Sequence, residues 1–455
     1  VSGYKFIYGK TGILTTLFAK IIPSFPIDWF EGFWAVLFVM TFACTSNHMI
    51  FLRNAMRAVD FQTVEAAQNM GASQFRILTK VVLPVLTPSL LAVTILTFIT
   101  GLSATSAPLL VGGQEFQTIT PMILTFSGNV SSRPLAALLA LFLGVATILL
   151  LTVMIQIEKR GHYMSISKVK TTIIKQKIRN PILNVLVHIY AYVLFLIYVI
   201  PVVLVVLFSF TDAATIASKK LTLSSFTLDN YISIFQKATS YKPFVVSICY
   251  SAIAALLVAV IVLVACRIIQ KRKDRLGSAL EYGLLIPWLL PTTLMALGLI
   301  TTYNTPRFWM LNQVLTGTSV IMLIGYMIIK IPFTLRMTKA AFFALDDSLE
   351  DASRNLGAKP LYTFLRVQLP IILPTVLAIF ALNFNGLLGD YDMSVFMYHP
   401  LNQPLGVYIK SLTNSETNAD NAALTFVYAV LMMVISSIVM YLVYGRGNKV
   451  DKREK

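Results

Sequence analysis

Asp390, Tyr391 and Asp392 follow one another directly, and Asn383 and Asn385 lie just upstream of them. Two carboxylates and a phenol are the oxygen donors that a hard cation prefers. The asparagines sit in an apolar stretch. A carboxamide at membrane depth either lines a polar path or bonds to a neighbouring helix. The same group suits a surface on which a soluble protein docks, or a plain solvated loop, and the spacing leaves these uses open. A second candidate, GYKFIYGKT at 3–11, imitates a phosphate-binding loop, but five residues rather than four separate Gly3 from Gly9. It reads as an external loop. Cys44, Cys249 and Cys266 show no ligand spacing. No HExxH, nucleophile elbow or Walker loop occurs elsewhere, so no metal site and no catalytic residue is assigned.

A more specific signal is a polar, Gly-broken stretch written twice. VEAAQNMGASQFRILTKVVLP (64–84) aligns without a gap on EDASRNLGAKPLYTFLRVQLP (350–370), a constant separation of 286 positions. Each copy encodes a short helix, with Asp60 in the first and Asp347 or Ser348 in the second available as N-caps and with acidic residues early. Gly71 and Gly357 supply positive φ to end it. A second helix follows, reaching Pro84 or Pro370 at membrane entry. The small residues Ala66 and Ala67, and Ala352 and Ser353, give a face that a partner protein could approach closely.

These copies sit in a chain that is 56% hydrophobic and 13% charged over 455 residues. Soluble domains carry roughly 25% charged residues. Continuous apolar runs of spanning length recur at about 31–51, 85–105, 136–157, 185–210, 244–266, 279–300, 318–337, 371–389 and 423–445. They make the chain an all-α polytopic membrane protein and exclude a barrel, whose strands would alternate. The net charge of +17 lies between the runs, so it marks cytoplasmic loops and not a nucleic-acid surface. Basic segments at 158–180, 270–275 and the C-terminal tail put both repeated stretches in the cytoplasm and the acidic loop 390–422 outside.

The same separation of 286 maps the first three spans onto the last three, in parallel orientation. Three further spans precede this block in the second copy, so the first half reads as truncated by about three helices. The expected organisation is 1–157 as the end of a first half (repeat loop 60–84), 158–182 as a basic linker, 183–445 as a complete six-helix half (repeat loop 346–370), and 446–455 as a basic tail.

Glu65-Ala66-Ala67, Gly71, Val81 and Leu83-Pro84 resemble the EAA motif of permease subunits of binding-protein-dependent ABC importers. The second copy, Asp351-Ala352-Ser353, Gly357, Val367 and Leu369-Pro370, departs in its triplet but keeps the carboxylate and the small residues. The resemblance implies the type I importer permease fold with two halves fused in one chain. It implies that these loops sit in clefts of two copies of a cytoplasmic ATPase, and that an extracytoplasmic binding protein delivers the solute. ATP would be used by those partners; this chain would bind no cofactor and catalyse nothing. It also implies a bacterial cytoplasmic membrane. SAPLLVGG (106–113), GDYDMSVFMYHPLNQPLG (389–406) and FIYGKTGILTTL (6–17) are most similar to ferric-iron importers; related permeases carry 2-aminoethylphosphonate, polyamines or sulfate. A secondary transporter would instead need ionisable groups at the midplane of several spans, and the sequence shows almost none.

Overall fold

The computed structural model describes residues 2–56, 59, 61–113, 116–160, 178, 180–218, 221–272, 274–343, 345, 348–414 and 419–444. Most of the basic linker, the tail, and the N-cap candidates Asp60 and Asp347 lie outside them. The described chain is helical. Helices meet each of the nine expected spans: α1 (Phe33–Met56), the short α2 (Phe61–Asn69), α3 (Leu83–Leu102), α4 (Arg133–Arg160), α5 (Pro181–Ser209), α6 (Ala238–Lys271), α7 (Arg275–Leu285) with α8 (Thr292–Tyr303), α9 (Ser319–Phe343), the short α10 (Ser348–Asn355), α11 (Leu369–Leu388) and α12 (Ala419–Tyr444). Among described residues six helices are long and apolar enough to cross a bilayer alone.

One expected span is not straight. Over 279–300 the chain bends by 108° between Arg275–Leu289 and Thr292–Tyr303. Pro287 and Pro291 sit at the break, and neither can donate the N–H that would carry a helix through it. Prolines elsewhere are absorbed: Pro201, Pro243, Pro332 and Pro374 all lie inside long helices.

The chain divides into two compact units, Val1–Leu204 and Val205–Lys455. In the first, α1 packs on α3 and α3 on α4. A small core of Phe30, Ala35, Val36, Val39, Ala107 and Val111 is rimmed by Tyr4, Tyr8 and Phe38. The pseudo-phosphate loop is not a loop there: Ser2–Tyr8 is helical, and Lys10 pairs with Glu31 at 3.1 Å.

In the second unit α6 is the central post, packed along both α9 and α11, with α12 against α11. Ala254, Ala255 and Val258 on α6 are fully buried. Lipid offers no hydrophobic drive for helices to associate, so small residues that admit close backbone approach supply the packing. Below this seam Val262, Cys266, Leu335, Phe342, Ile372 and Val376 continue the core towards the basic end of α6. That seam holds α9, α10 and α11 in the register from which the candidate sites are built.

Candidate functional site

The two repeated stretches fold alike, down to individual hydrogen bonds. In the first, the N–H groups of Met70, Gly71 and Ala72 donate to the carbonyls of Ala66, Gln68 and Ala67. In the second, Leu356, Gly357 and Ala358 donate to Ala352, Arg354 and Ser353. This is a Schellman close, and the residue that must turn left-handed is Gly71 or Gly357, each at φ +80°. Each turn leads into a four-residue helix, Gln74–Ile77 or Pro360–Thr363. Ser73 caps the first by accepting the Arg76 N–H at 3.3 Å; Pro360 opens the second, where no donor is needed.

A feature that composition does not announce comes next. Leu78–Val82 and Phe364–Gln368 are π-helical turns, 286 positions apart, directly before α3 and α11. The N–H groups of Leu83 and Leu369 reach back five residues, to Leu78 and Phe364. Pro84 and Pro370 follow and lack an N–H, so the ladder is already widened where it would otherwise lose a bond.

Glu65, Ala66, Gly71, Asp351, Ala352 and Gly357 are exposed. The small-residue face expected from the triplets is only half outward, however. Ala67 and Ser353 are buried, because the Schellman turn folds the second helix back over them. Beneath the first turn, Val64, Ala67 and Ile77 form an apolar cluster with Val81 and Val82 around it. Beneath the second, the equivalent positions are polar. Glu350 stands for Val64 and Gln368 for Val82; Ser353 stands for Ala67 and Thr363 for Ile77. They replace one another as contacting pairs. Gln368 Nε2 donates to Glu350 Oε2 at 3.1 Å, and the Ser353 and Thr363 hydroxyls share a hydrogen bond of 2.8 Å.

Glu350 is also the anchor of a basic cluster. Arg267 Nη1 lies 3.1 Å from Oε2, Lys271 Nζ contacts Oε1, and Arg354 Nη2 is 3.6 Å away. Burial raises the affinity of Glu350 for a proton, but hydrogen bonds and charge from Lys271 and Arg267 outweigh it and hold the carboxyl at about 2. Arg267 also lies over the Phe364 ring, 5.9 Å from its centre. The end of α6 is thereby tied to α10 and to the π-turn.

Removing one member of the buried hydroxyl pair strands the other. Ser353→Ala or Thr363→Ile alone is expected to lower stability by ~1–2 kcal/mol. The double change Ser353→Ala with Thr363→Ile, which copies the first turn, should recover most of it. Thermal unfolding of the four proteins in lipid nanodiscs tests this; an additive double mutant would mean that the pair is not coupled.

The outward candidates are separated by role. Asn383 is buried and donates to Thr334 Oγ1 on α9 at 2.7 Å, so it bonds between helices. Asn385 Oδ1 is buried and accepts no hydrogen bond. Asp390 Oδ2 accepts the N–H groups of Met393 and Ser394, at 3.2 and 3.1 Å, and closes the chain after α11. Burial pushes the Asp390 carboxyl upward, and burial pushes the Tyr391 phenol to about 12, with Asp392 adding to the latter. Among the described residues no three His, Cys, Asp or Glu side chains come together as a metal-holding group.

Three participants escape a reading by motif. Arg267 and Lys271 look like topology-setting charges, and their partner is about 80 residues away. Lys330 is a lone charge in the middle of α9, inside an apolar run that still scores as a span. Its signal in the sequence is a single ionisable residue at the centre of a span.

The family model described as "binding-protein-dependent transport system inner membrane component" matches residues 11–160 and 179–449. The chain is 40% identical over 440 residues to a probable ABC transporter permease protein, y4fN, of Sinorhizobium fredii, covering 96% of this chain and 77% of that one. It is 21% identical over 447 residues to the ferric transport system permease protein FbpB of Actinobacillus pleuropneumoniae, covering 96% of this chain but 62% of the relative, so it spans under two thirds of that protein's length. It is 26% identical over 247 residues to a putative 2-aminoethylphosphonate transport system permease protein, PhnV, of Salmonella paratyphi A, covering 52% of this chain and 90% of the relative. With two matched blocks, helices at all nine expected spans and the paired turns, this chain belongs to the binding-protein-dependent transport system inner membrane components, as a multi-pass protein of the inner membrane.

Proposed function

We propose that the chain is the fused permease of an ATP-driven importer and that its two turns, Glu65–Gly71 and Asp351–Gly357, are where two copies of an ABC ATPase grip it. The identical hydrogen-bond pattern of the two turns carries this reading. A rigid turn transmits a displacement; a floppy loop would dissipate it. Closure of the ATPases on ATP would push each turn, and the push would pass through the π-turns into α3 and α11. An extracytoplasmic binding protein would present the solute at the opposite end of α11, where Asp390, Tyr391 and Asp392 lie. Alternating access then needs the membrane helices to rock between two arrangements whose populations ATP and the binding protein shift. The chain itself would neither hydrolyse ATP nor hold a cofactor.

For the solute, ferric iron is the first reading, supported by the match to ferric permeases along nearly the whole chain. The match to phosphonate permeases covers about half of it and supports the second. Proteoliposomes holding the permease, its ATPase and its binding protein separate the two by ATP-dependent uptake of ⁵⁵Fe³⁺ and of 2-aminoethylphosphonate. Uptake that persists without ATP and follows an ion gradient would replace the importer with a secondary transporter.

A further inference from the structure

The middle of α9 carries a charge that nothing in the packing requires. Lys330 lies eleven residues after Ser319 and thirteen before Phe343. At 1.5 Å per residue its Cα is ~16 Å or more from either end of the helix, beyond what a lysine side chain can span to reach the interface. Among the described residues its ammonium makes no hydrogen bond and no ion pair. An ionised group placed so deep, without a partner, marks a solute or ion path unless something else neutralises it.

The facing helix is shaped around it. α9 and α11 run antiparallel, and Thr334 meets Asn383 through their 2.7 Å hydrogen bond. One turn further out, Gly386 leaves room for the lysine head: a Cβ there would stand 2.9 Å from Nζ. Another turn out, Asp390 supplies the opposite charge that Lys330 senses, but it is not within ion-pair distance. Its Oδ2 is committed to the Met393 and Ser394 N–H groups. The unbonded Oδ1 of Asn385 is at the same depth, one residue before Gly386. In the first half the positions matching Lys330, Gly386 and Asp390 are Cys44, Thr100 and Ala104, so the charge belongs to one half alone.

We propose that Lys330 is an anion-binding station on the solute path, and that the cargo passes it carrying an oxyanion group. The inference rests on the permease reading and narrows its substrate class. A bare ferric ion or a polyamine would meet a like charge held in low-dielectric surroundings. A phosphonate or sulfate would be attracted, as would ferric ion still held by oxyanion ligands such as carboxylates. Iron remains a cargo on this view, as a complex with negative groups exposed.

The test is protection of Lys330 in the wild-type permease, assembled with its ATPase in nanodiscs. Trinitrobenzenesulfonate modifies accessible amines, and mass spectrometry reads each lysine separately. A saturating oxyanion is expected to lower modification of Lys330 by ~5-fold or more, with Lys359 unchanged and with spermidine without effect. Protection by 2-aminoethylphosphonate or sulfate identifies a free oxyanion as the source. Protection by ferric citrate where equal citrate does nothing identifies the complex. A Lys330 that stays unreactive, gains no protection from any of these probes, or is protected equally by spermidine overturns the proposal. In the transport assay Lys330→Met should cut uptake ~10-fold and Lys330→Arg by less than ~3-fold. Wild-type uptake in Lys330→Met would equally sink it. Loss of ATP dependence in the wild type, with Lys330 still protected, would instead fault the permease reading.

Discussion

Replacing Gly71 or Gly357 with proline is expected to reduce ATP-driven uptake ~100-fold or more, while the ATPase subunits, assayed alone, keep their activity. Both glycines sit at φ +80°, and proline is fixed near −65°, so the substituted turn cannot close as it does now. The Schellman bonds from Gly71 to Gln68 and from Ala72 to Ala67, and their counterparts in the second turn, would be lost together. Space is not the issue. A Cβ at either glycine would meet nothing within 4 Å, so the cost comes from the backbone alone. A graded series follows: asparagine, which tolerates the left-handed region, should be mild, alanine intermediate and valine severe. The readout is ATP-dependent uptake set against ATP hydrolysis by the assembled complex, since a lost grip uncouples the two. Proline variants that transport at the wild-type rate would show that the turns do not carry the push.

The second large effect centres on Glu350. Glu350→Ala leaves Arg267 and Lys271 facing each other without the carboxylate that separates them, and unties α6 from α10. Stability and coupling are expected to fall together, and more for Glu350→Ala than for Glu350→Gln, which keeps an acceptor. The pH dependence has a definite sign. A carboxyl held at about 2, against an ordinary 4.5, contributes stability that is full above pH 4.5 and is lost as pH falls towards 2. Unscreened, that depression corresponds to roughly 3 kcal/mol. Lys271 and Arg354 are open to water, so ~1–2 kcal/mol is the better figure. Thermal unfolding between pH 7 and 3 should therefore show a loss below pH 4.5 in the wild type that Glu350→Gln lacks. Parallel curves would remove the ion cluster from the account of how α10 is held.

Much of this was open to inspection in the chain itself, for physical reasons. Spanning segments follow from length and apolarity, which the bilayer imposes directly, and all nine segments coincide with helices. Gly71 and Gly357 were legible because few residues other than glycine turn left-handed at a helix end. What was not legible depends on contacts far apart in sequence or on backbone register. The π-turns before Pro84 and Pro370 change a hydrogen-bond partner without changing composition. The inward turn of Ala67 and Ser353 depends on how the following helix folds back. The break at Pro287–Pro291 lies inside a run apolar enough to read as one span. Lys330 was hidden because a hydropathy window tolerates one charge.

The exchange of Val64 and Val82 for Glu350 and Gln368, and of Ala67 and Ile77 for Ser353 and Thr363, makes the two turns non-interchangeable parts despite their common outline. Grafting residues 61–72 over 347–358 would bring Val64 under Arg267 and Lys271 and leave Gln368 and Thr363 without their mates. The reverse graft would bury a glutamate among valines. A chimera can succeed only if the helix and the floor beneath it move together, so each half has become a lock for its own key.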